Sequence, residues 1–209
     1  GPPAVLSSPS VAIVGTRTPT EDGLFLARYV GACLDGWPAA TVSGLASGID
    51  QLAHESSLRA AVPTIAVLGT GILDNYPRGS GELRDRILAA GGVVISEYLP
   101  RASYSAANFV LRNRLQAALA RVLIPVEWAR RSGTAHTVRF ASELDRPIAC
   151  LRLPDWAPER VSLAPGLGEG SGRIFTLPRE QSAFDAFVRA AVQGRPMKAP
   201  VQPSLFGDG

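Results

Sequence analysis

Short β-branched runs alternate with longer segments of helical periodicity along most of this chain, and that alternation leaves few folds open. Residues 11–14, 41–42, 64–68, 93–96, 122–126 and 148–151 read as strands. Each is nearly continuous in apolar residues, the pattern of a strand covered on both faces. Helices are expected near 50–60, 82–90, 109–120 and 135–144. The first helix is expected to open with Thr18 as its cap, Pro19 at its first position and Glu21 completing a capping box, and to stop at Gly36. Repeated strand-then-helix units predict an α/β chain built on a mostly parallel sheet. A loop over 155–172, a strand at 174–177 and a helix at 180–192 close one domain spanning residues 1–193. Residues 194–209 are Pro-rich and polar, and read as a flexible tail.

Composition narrows the function without fixing it. The net charge is +3 and only 19% of residues are charged, so charge alone does not mark a nucleic-acid binder. Of the 21 basic residues a single one, Lys198, is lysine. Arginine suits phosphate and stacks on bases, but a chain rich in Ala, Gly and Pro also reflects genome composition. Cys33 and Cys150 lie apart in apolar surroundings, with neither metal-like nor redox-like spacing. They are expected as buried free thiols in a reducing compartment. No apolar run reaches membrane-span length and no signal peptide precedes the first strand, so a cytoplasmic protein without membrane contact is expected.

In doubly wound sheets ligands bind beyond the carboxyl ends of the strands. Gly15, Thr16 and Arg17 follow the first strand; Ser43, Gly44, Ala46 and Gly48, with Asp50, follow the second. Gly69 and Gly71, with Tyr76 and Pro77 beyond, follow the third, and Ser132, Gly133 and Thr134 come after the fifth. These turns offer glycines for close backbone approach, small hydroxyls and helix N-termini, the makings of a phosphate-accepting rim. No G-x-G-x-x-G follows the first strand, which disfavours an NAD or FAD enzyme, and neither cofactor nor metal is expected. Phe109, Arg112, Asn113 and Arg114 form a second constellation, an aromatic beside two arginines and an amide. Arg112 and Arg114 are two residues apart and cannot both face one site on a helix. At least one is expected to be structural, pairing with Glu97 or Glu127, and Phe109 is a core residue or a stacking platform. His54 is expected to pack on its helix, and Asp50 to cap that helix.

The motifs V-A-I-V-G-T-R, V-S-G-L-A-S-G-I-D-x-x-A-H, L-G-T-G-I-L-D-x-Y-P, I-S-E, N-F-V-L-R-N-R-L and V-E-x-x-x-x-S-G-T-x-x-T resemble, in order and spacing, those of the DprA/Smf family. The resemblance runs from Val11 to about Leu151. It implies an extended Rossmann-like three-layer fold, a homodimer, binding of single-stranded DNA, and loading of the recombinase RecA, chiefly in natural transformation. By the same resemblance the DNA pocket contains Arg17 with Gly15 and Thr16, the Ser43-Gly44 turn, Phe109, and Ser132, Gly133 and Thr134. The chain departs from the pattern at Val110, where proline is usual, and lacks a lysine shortly before Phe109. The segment at Arg152, Leu153 and Pro154 also differs, so the family's dimer surface does not carry over.

Near the end, Gln202, Ser204, Leu205 and Phe206 resemble the Q-x-S/D-L-F peptide with which bacterial proteins dock on the replicative sliding clamp. Three functions compete. The first is a DNA-binding recombination mediator in DNA processing or repair. The second is a phosphoribohydrolase-like enzyme, against which Thr137 stands where such enzymes carry a glutamate. The third is a nucleotide-sensing module using the same rim. The residues favour binding over catalysis, since no His–carboxylate or Cys–His pair suggests acid–base work.

Overall fold

Every residue of the first strand, β1 (Ser10–Val14), is buried, as its unbroken apolar run requires. It sits at the middle of a seven-stranded sheet, seen in a computed structural model that describes residues 1–157 and 172–194. The other strands are β2 (Ala40–Ser43), β3 (Thr64–Val67), β4 (Val93–Ile95), β5 (Val122–Pro125), β6 (Ile148–Arg152) and β7 (Gly172–Thr176). Their order is β4-β3-β2-β1-β5-β6-β7, and every pairing among the described residues is parallel. The chain steps outward from β1 through β4, then returns to the opposite side of β1 as β5. The connections leaving β1 and β5 therefore diverge, which opens a crevice at their carboxyl ends.

Alternate strand residues feed two cores. Val11, Ile13 and Ile124 face α1 (Glu21–Ala32), α2 (Ile49–Arg59) and α6 (Gln181–Val192). Ala12, Val14 and Leu123 face α4 (Ala106–Leu119) and α5 (Gly133–Glu143). Leu83 and Ile87 of α3 (Gly81–Ala89) cover Ala66 and Val94 near the β4 edge. The result is the three-layer, parallel α/β fold expected from the sequence.

The helix ends correct two readings. The cap of α1 is Thr20, not Thr18: its Oγ1 accepts from the Gly23 amide at 3.3 Å, so Pro19 lies outside the helix. Glu127 at the end of β5 fixes that cap, accepting from the Thr20 hydroxyl at 2.7 Å and the Thr20 amide at 2.9 Å. The helix ends at Ala32, and Gly36 instead closes a separate 3-10 turn, Leu34–Gly36. α4 begins three residues before the expected start because Ser105 caps it, accepting from the Asn108 amide at 3.0 Å. Both cysteines are free thiols, Cys150 buried and Cys33 half-buried, and burial pushes the Cys150 thiol up to about 12. Among the described residues no helix is long and apolar enough to cross a membrane. Most of the 155–172 loop and nearly all of the tail, Gln202, Ser204, Leu205 and Phe206 included, lie outside the described residues.

Candidate nucleic-acid interface

The crevice is a cleft of about 560 Å³ between the β1 turn, the face of α4 from Ala106 to Gln116 and the N-terminus of α5. Residue types at the ends of these elements set its chemistry. Thr16 and Arg17 leave β1 on one side, and Ser132, Gly133 and Thr134 open α5 on the other. The Ser132 Oγ accepts from the Ala135 amide at 3.3 Å and donates to Ala129 O at 2.6 Å, which fixes the helix start. A Cβ added at Gly133 would meet nothing within 4 Å, so the backbone at that N-terminus faces open space.

Phe109 forms the wall on α4; it is half-buried and lines the cleft rather than joining the hydrophobic cores. Its ring lies 5.0 Å from Tyr76, which in turn lies 4.4 Å from Tyr104, giving a chain of three aromatic rings. The Arg17 guanidinium stands 5.3 Å from the centre of the Phe109 ring and that of Arg112 stands 5.9 Å from it. Two cations thus flank one ring, a disposition that favours an incoming anion. Tyr104 is 56% exposed, so the outer end of the ring chain is open to a ligand.

The two α4 arginines are both held by the protein. Arg112 is buried, and its guanidinium donates to Gly44 O at 2.7 Å, to Val67 O, and to Asn113 Oδ1 at 3.2 Å. Arg114 pairs with Glu97 and does not line the cleft. Asn113 is engaged within the fold as well, its Nδ2 donating to Gly133 O at 2.9 Å, which ties α4 to the start of α5. These residues shape the site; the guanidinium left to a ligand in the cleft lining is Arg17.

The glycine turns depart furthest from the expected rim. A Cβ at Gly44 would strike the Arg112 guanidinium at 2.5 Å, one at Gly69 the Phe109 ring at 2.4 Å, and one at Gly15 the Ile49 side chain at 2.6 Å. At Gly71 it would meet Leu99 O at 2.2 Å. Gly48 has φ of 81° and lies against the Thr16–Arg17 backbone. These glycines admit the protein's own atoms, and Ser43, Gly44, Gly48, Gly69 and Gly71 do not line the cleft. Ser43 is buried, its hydroxyl donating to Ile13 O at 2.6 Å.

Asp50 completes the internal use of the second turn. It does not cap α2, whose cap position is Gly48; its Oδ2 accepts from the Gly44 amide at 3.1 Å. The Gly15 and Ala46 amides also stabilise the carboxylate, so donors expected to face a phosphate face Asp50 instead. Burial raises the Asp50 carboxyl from 3.8 to about 6, against the pull of Arg112 and these amides. His54 behind it is buried and held neutral, pushed down to about 3 by burial and by Arg112, with Nδ1 2.8 Å from Thr64 Oγ1. Its role is the expected packing one.

Of the expected rim, then, Gly15, Thr16, Arg17, Ala46, Phe109, Arg112, Asn113, Ser132, Gly133 and Thr134 converge on the cleft. Sequence reasoning did not find Tyr104, Val110 or Gln116 in its lining. The spacing of Phe109, Asn113 and Gln116, at i, i+4 and i+7, was the available signal for Gln116. Among the described residues no cluster of His, Cys, Asp and Glu could hold a metal ion.

Comparison with known proteins agrees with this architecture. Residues 1–164 match the family model for DNA recombination-mediator protein A. The chain is 41% identical over 201 residues to a putative DNA processing protein DprA of Mycobacterium tuberculosis, covering 88% of this chain and 51% of that one. It is 41% identical over 143 residues to protein Smf of Synechocystis, covering 68% and 36%. It thus spans about a third to a half of the length of these relatives. The structure of DNA processing protein A from Helicobacter pylori, described for its single-stranded DNA binding mode, superposes with a TM-score of 0.72 at 28% identity. That likeness covers 90% of this chain and 85% of the other. DprA of Streptococcus pneumoniae gives a TM-score of 0.71 at 34% identity, covering 86% and 62%.

Proposed function

The chain belongs to the DNA recombination-mediator protein A family, and from that premise we propose that it binds single-stranded DNA in the cleft between β1, α4 and α5. One observation carries the reading: Arg17 stands over Phe109 at the inner end of a three-ring aromatic chain, across from the open N-terminus of α5. Unpaired bases expose the faces that such rings stack on, whereas a duplex hides them. The N-terminus of α5 suits a phosphate, and Arg17 adds the charge-assisted contact. The role is one of holding and handing on a strand in DNA processing, recombination or repair, with no chemistry on it. Thr137, where a phosphoribohydrolase would place its glutamate, supports binding over hydrolysis.

The test is a titration of single- against double-stranded oligonucleotides, followed by fluorescence anisotropy, with wild type and Arg17→Ala. Single strands are expected to bind more tightly, with the cleft's one free arginine giving a shallow log–log salt slope of about −1. Equal affinity for both forms, or an unchanged affinity in Arg17→Ala, would reject the reading.

A mononucleotide of the right charge would also fit a cleft of about 560 Å³. Competition between oligo-dT and free nucleotides separates a nucleotide sensor from a strand binder. Docking of Gln202, Ser204, Leu205 and Phe206 on the sliding clamp, transfer to RecA and homodimer formation belong to the same proposal. A pull-down of the clamp with Leu205→Ala plus Phe206→Ala checks the first; unchanged capture removes it.

A further inference from the structure

Gln116 is 1% exposed, lines the cleft, and has no hydrogen-bond partner among the described residues on either its Oε1 or its Nε2. A buried amide with both ends unsatisfied works against stability. Neighbouring polar groups do not relieve it. Asn113 is committed to Arg112 and to Gly133, and Arg112 to Gly44 and Val67. What sets Gln116 apart from the other unpaired buried groups, such as Thr41 Oγ1 and Ser80 Oγ, is that it lines the cleft, where an external partner could satisfy it.

Its position says what that partner is. Phe109, Asn113 and Gln116 follow i, i+4 and i+7 spacing on one face of α4. At about 1.5 Å of rise per residue, Gln116 lies about 10 Å along the helix from the stacking ring. A ligand entering past Phe109 brings its inner edge toward the Gln116 amide. Nucleobases carry an acceptor and a donor side by side on that edge, the complement of an amide's Nε2–H and Oε1. Val14 and the N-terminal half of α5 close the other walls, and of the charged groups in the lining Arg112 and Asp50 are held within the fold while Arg17 stands at Phe109.

We propose that Gln116 is a specificity-determining residue that reads the hydrogen-bonding edge of one nucleobase held in the cleft. The inference rests on the single-stranded DNA reading above, and its test separates the two. Oligo-dT is compared with oligomers in which one thymine at a time is replaced by difluorotoluene, an apolar isostere without the edge donor and acceptor. Wild type is expected to lose about tenfold in affinity at one position, the worth of a buried hydrogen-bonded pair. Gln116→Leu, which keeps the bulk without the amide, is expected to bind both oligomers within about twofold of each other. Arg17→Ala is expected to weaken both alike. If wild type ignores single strands, the DNA reading fails. If wild type binds but treats the isostere as thymine at every position, or Gln116→Leu still discriminates, the base-edge role is overturned. Thermal unfolding gives a second readout. Gln116→Leu is expected to melt no lower than wild type, because it removes an unpaired amide; a clear drop in Tm would show that the amide is satisfied within the fold and would overturn the inference.

Discussion

Replacing Arg112 with methionine tests what holds the cleft in shape. The guanidinium is 3% exposed, donates to Gly44 O and Val67 O, and is the cation beside buried Asp50. Methionine keeps similar length and removes both charge and donors. Two buried carbonyls then lose a donor, a cost of about 2–4 kcal/mol in total at any pH. The Asp50 share depends on pH. Its carboxyl is raised in the folded state, from 3.8 to about 6, so the folded protein binds that proton more tightly than the unfolded chain. The stability it contributes is therefore full below its ordinary value and is lost as pH rises through the folded value. In wild type the loss is complete a little above pH 6 and comes to about 3 kcal/mol, at about 1.4 kcal/mol per pH unit. Without Arg112 the folded-state value moves higher and the loss goes on. For an Asp50 that stays neutral to pH 8, the variant is penalised by about 3 kcal/mol beyond wild type at pH 8 and by next to nothing at pH 5. The expected destabilisation is about 5–7 kcal/mol at pH 8 and about 2–4 kcal/mol at pH 5. Urea unfolding at the two pH values measures it, and outright unfolding at pH 8 with recovery at pH 5 meets the same expectation. Adding Asp50→Asn should flatten the pH dependence. An equal loss at both pH values would refute the argument.

Arg17→Ala should lower single-stranded DNA affinity about tenfold and reduce the salt slope by about 1, with little change in Tm, since among the described residues its guanidinium packs on Phe109 without an ion-pair partner. Gly69→Ala should destabilise by about 1–3 kcal/mol and weaken DNA binding as well, because the new methyl displaces the Phe109 ring 2.4 Å away. Gly133→Ala places its methyl in open space, so unfolding should be unchanged or slightly later while DNA affinity falls. Glu97→Gln breaks the partly exposed ion pair with Arg114 and should change stability by less than about 1 kcal/mol in a urea titration.

The fold was legible because it rests on patterns that solvent exclusion imposes. A strand buried on both faces has to be apolar throughout, and β1, β3 and β5 could be read for that reason. Helix ends were less legible because hydroxyls compete for each cap. Thr18 and Thr20 are equally good caps in isolation, and Glu127, far away in sequence, decides for Thr20. The site was half legible. Arg17, Phe109 and Ser132 stand where their strand and helix ends put them. The two-residue spacing showed that Arg112 and Arg114 could not share one site, but left open which would pair internally and whether with Glu97 or Glu127; the fold settles it as Arg114 with Glu97. Tyr104 was not legible, since a loop residue is brought to Tyr76 by the path of the chain rather than by any periodicity.

The glycines show why motif and mechanism are separate inferences. A glycine after a parallel strand is compatible with a phosphate approaching the backbone and equally with a side chain of the same protein doing so. Here Asp50 takes the amides of the second turn and Arg112 takes its carbonyl, so the turn is closed by an internal anion and an internal cation. These internal bonds hold the second turn in place without a ligand, so binding has less of it left to order. They also move recognition away from the backbone. What remains for a ligand is an aromatic face, a single arginine and a single helix start, a combination that rewards an unpaired base and its phosphate together. Affinity should then depend more on the bases and less on salt than in a protein that grips phosphates alone, and the shallow salt slope expected above is the measurable form of that claim.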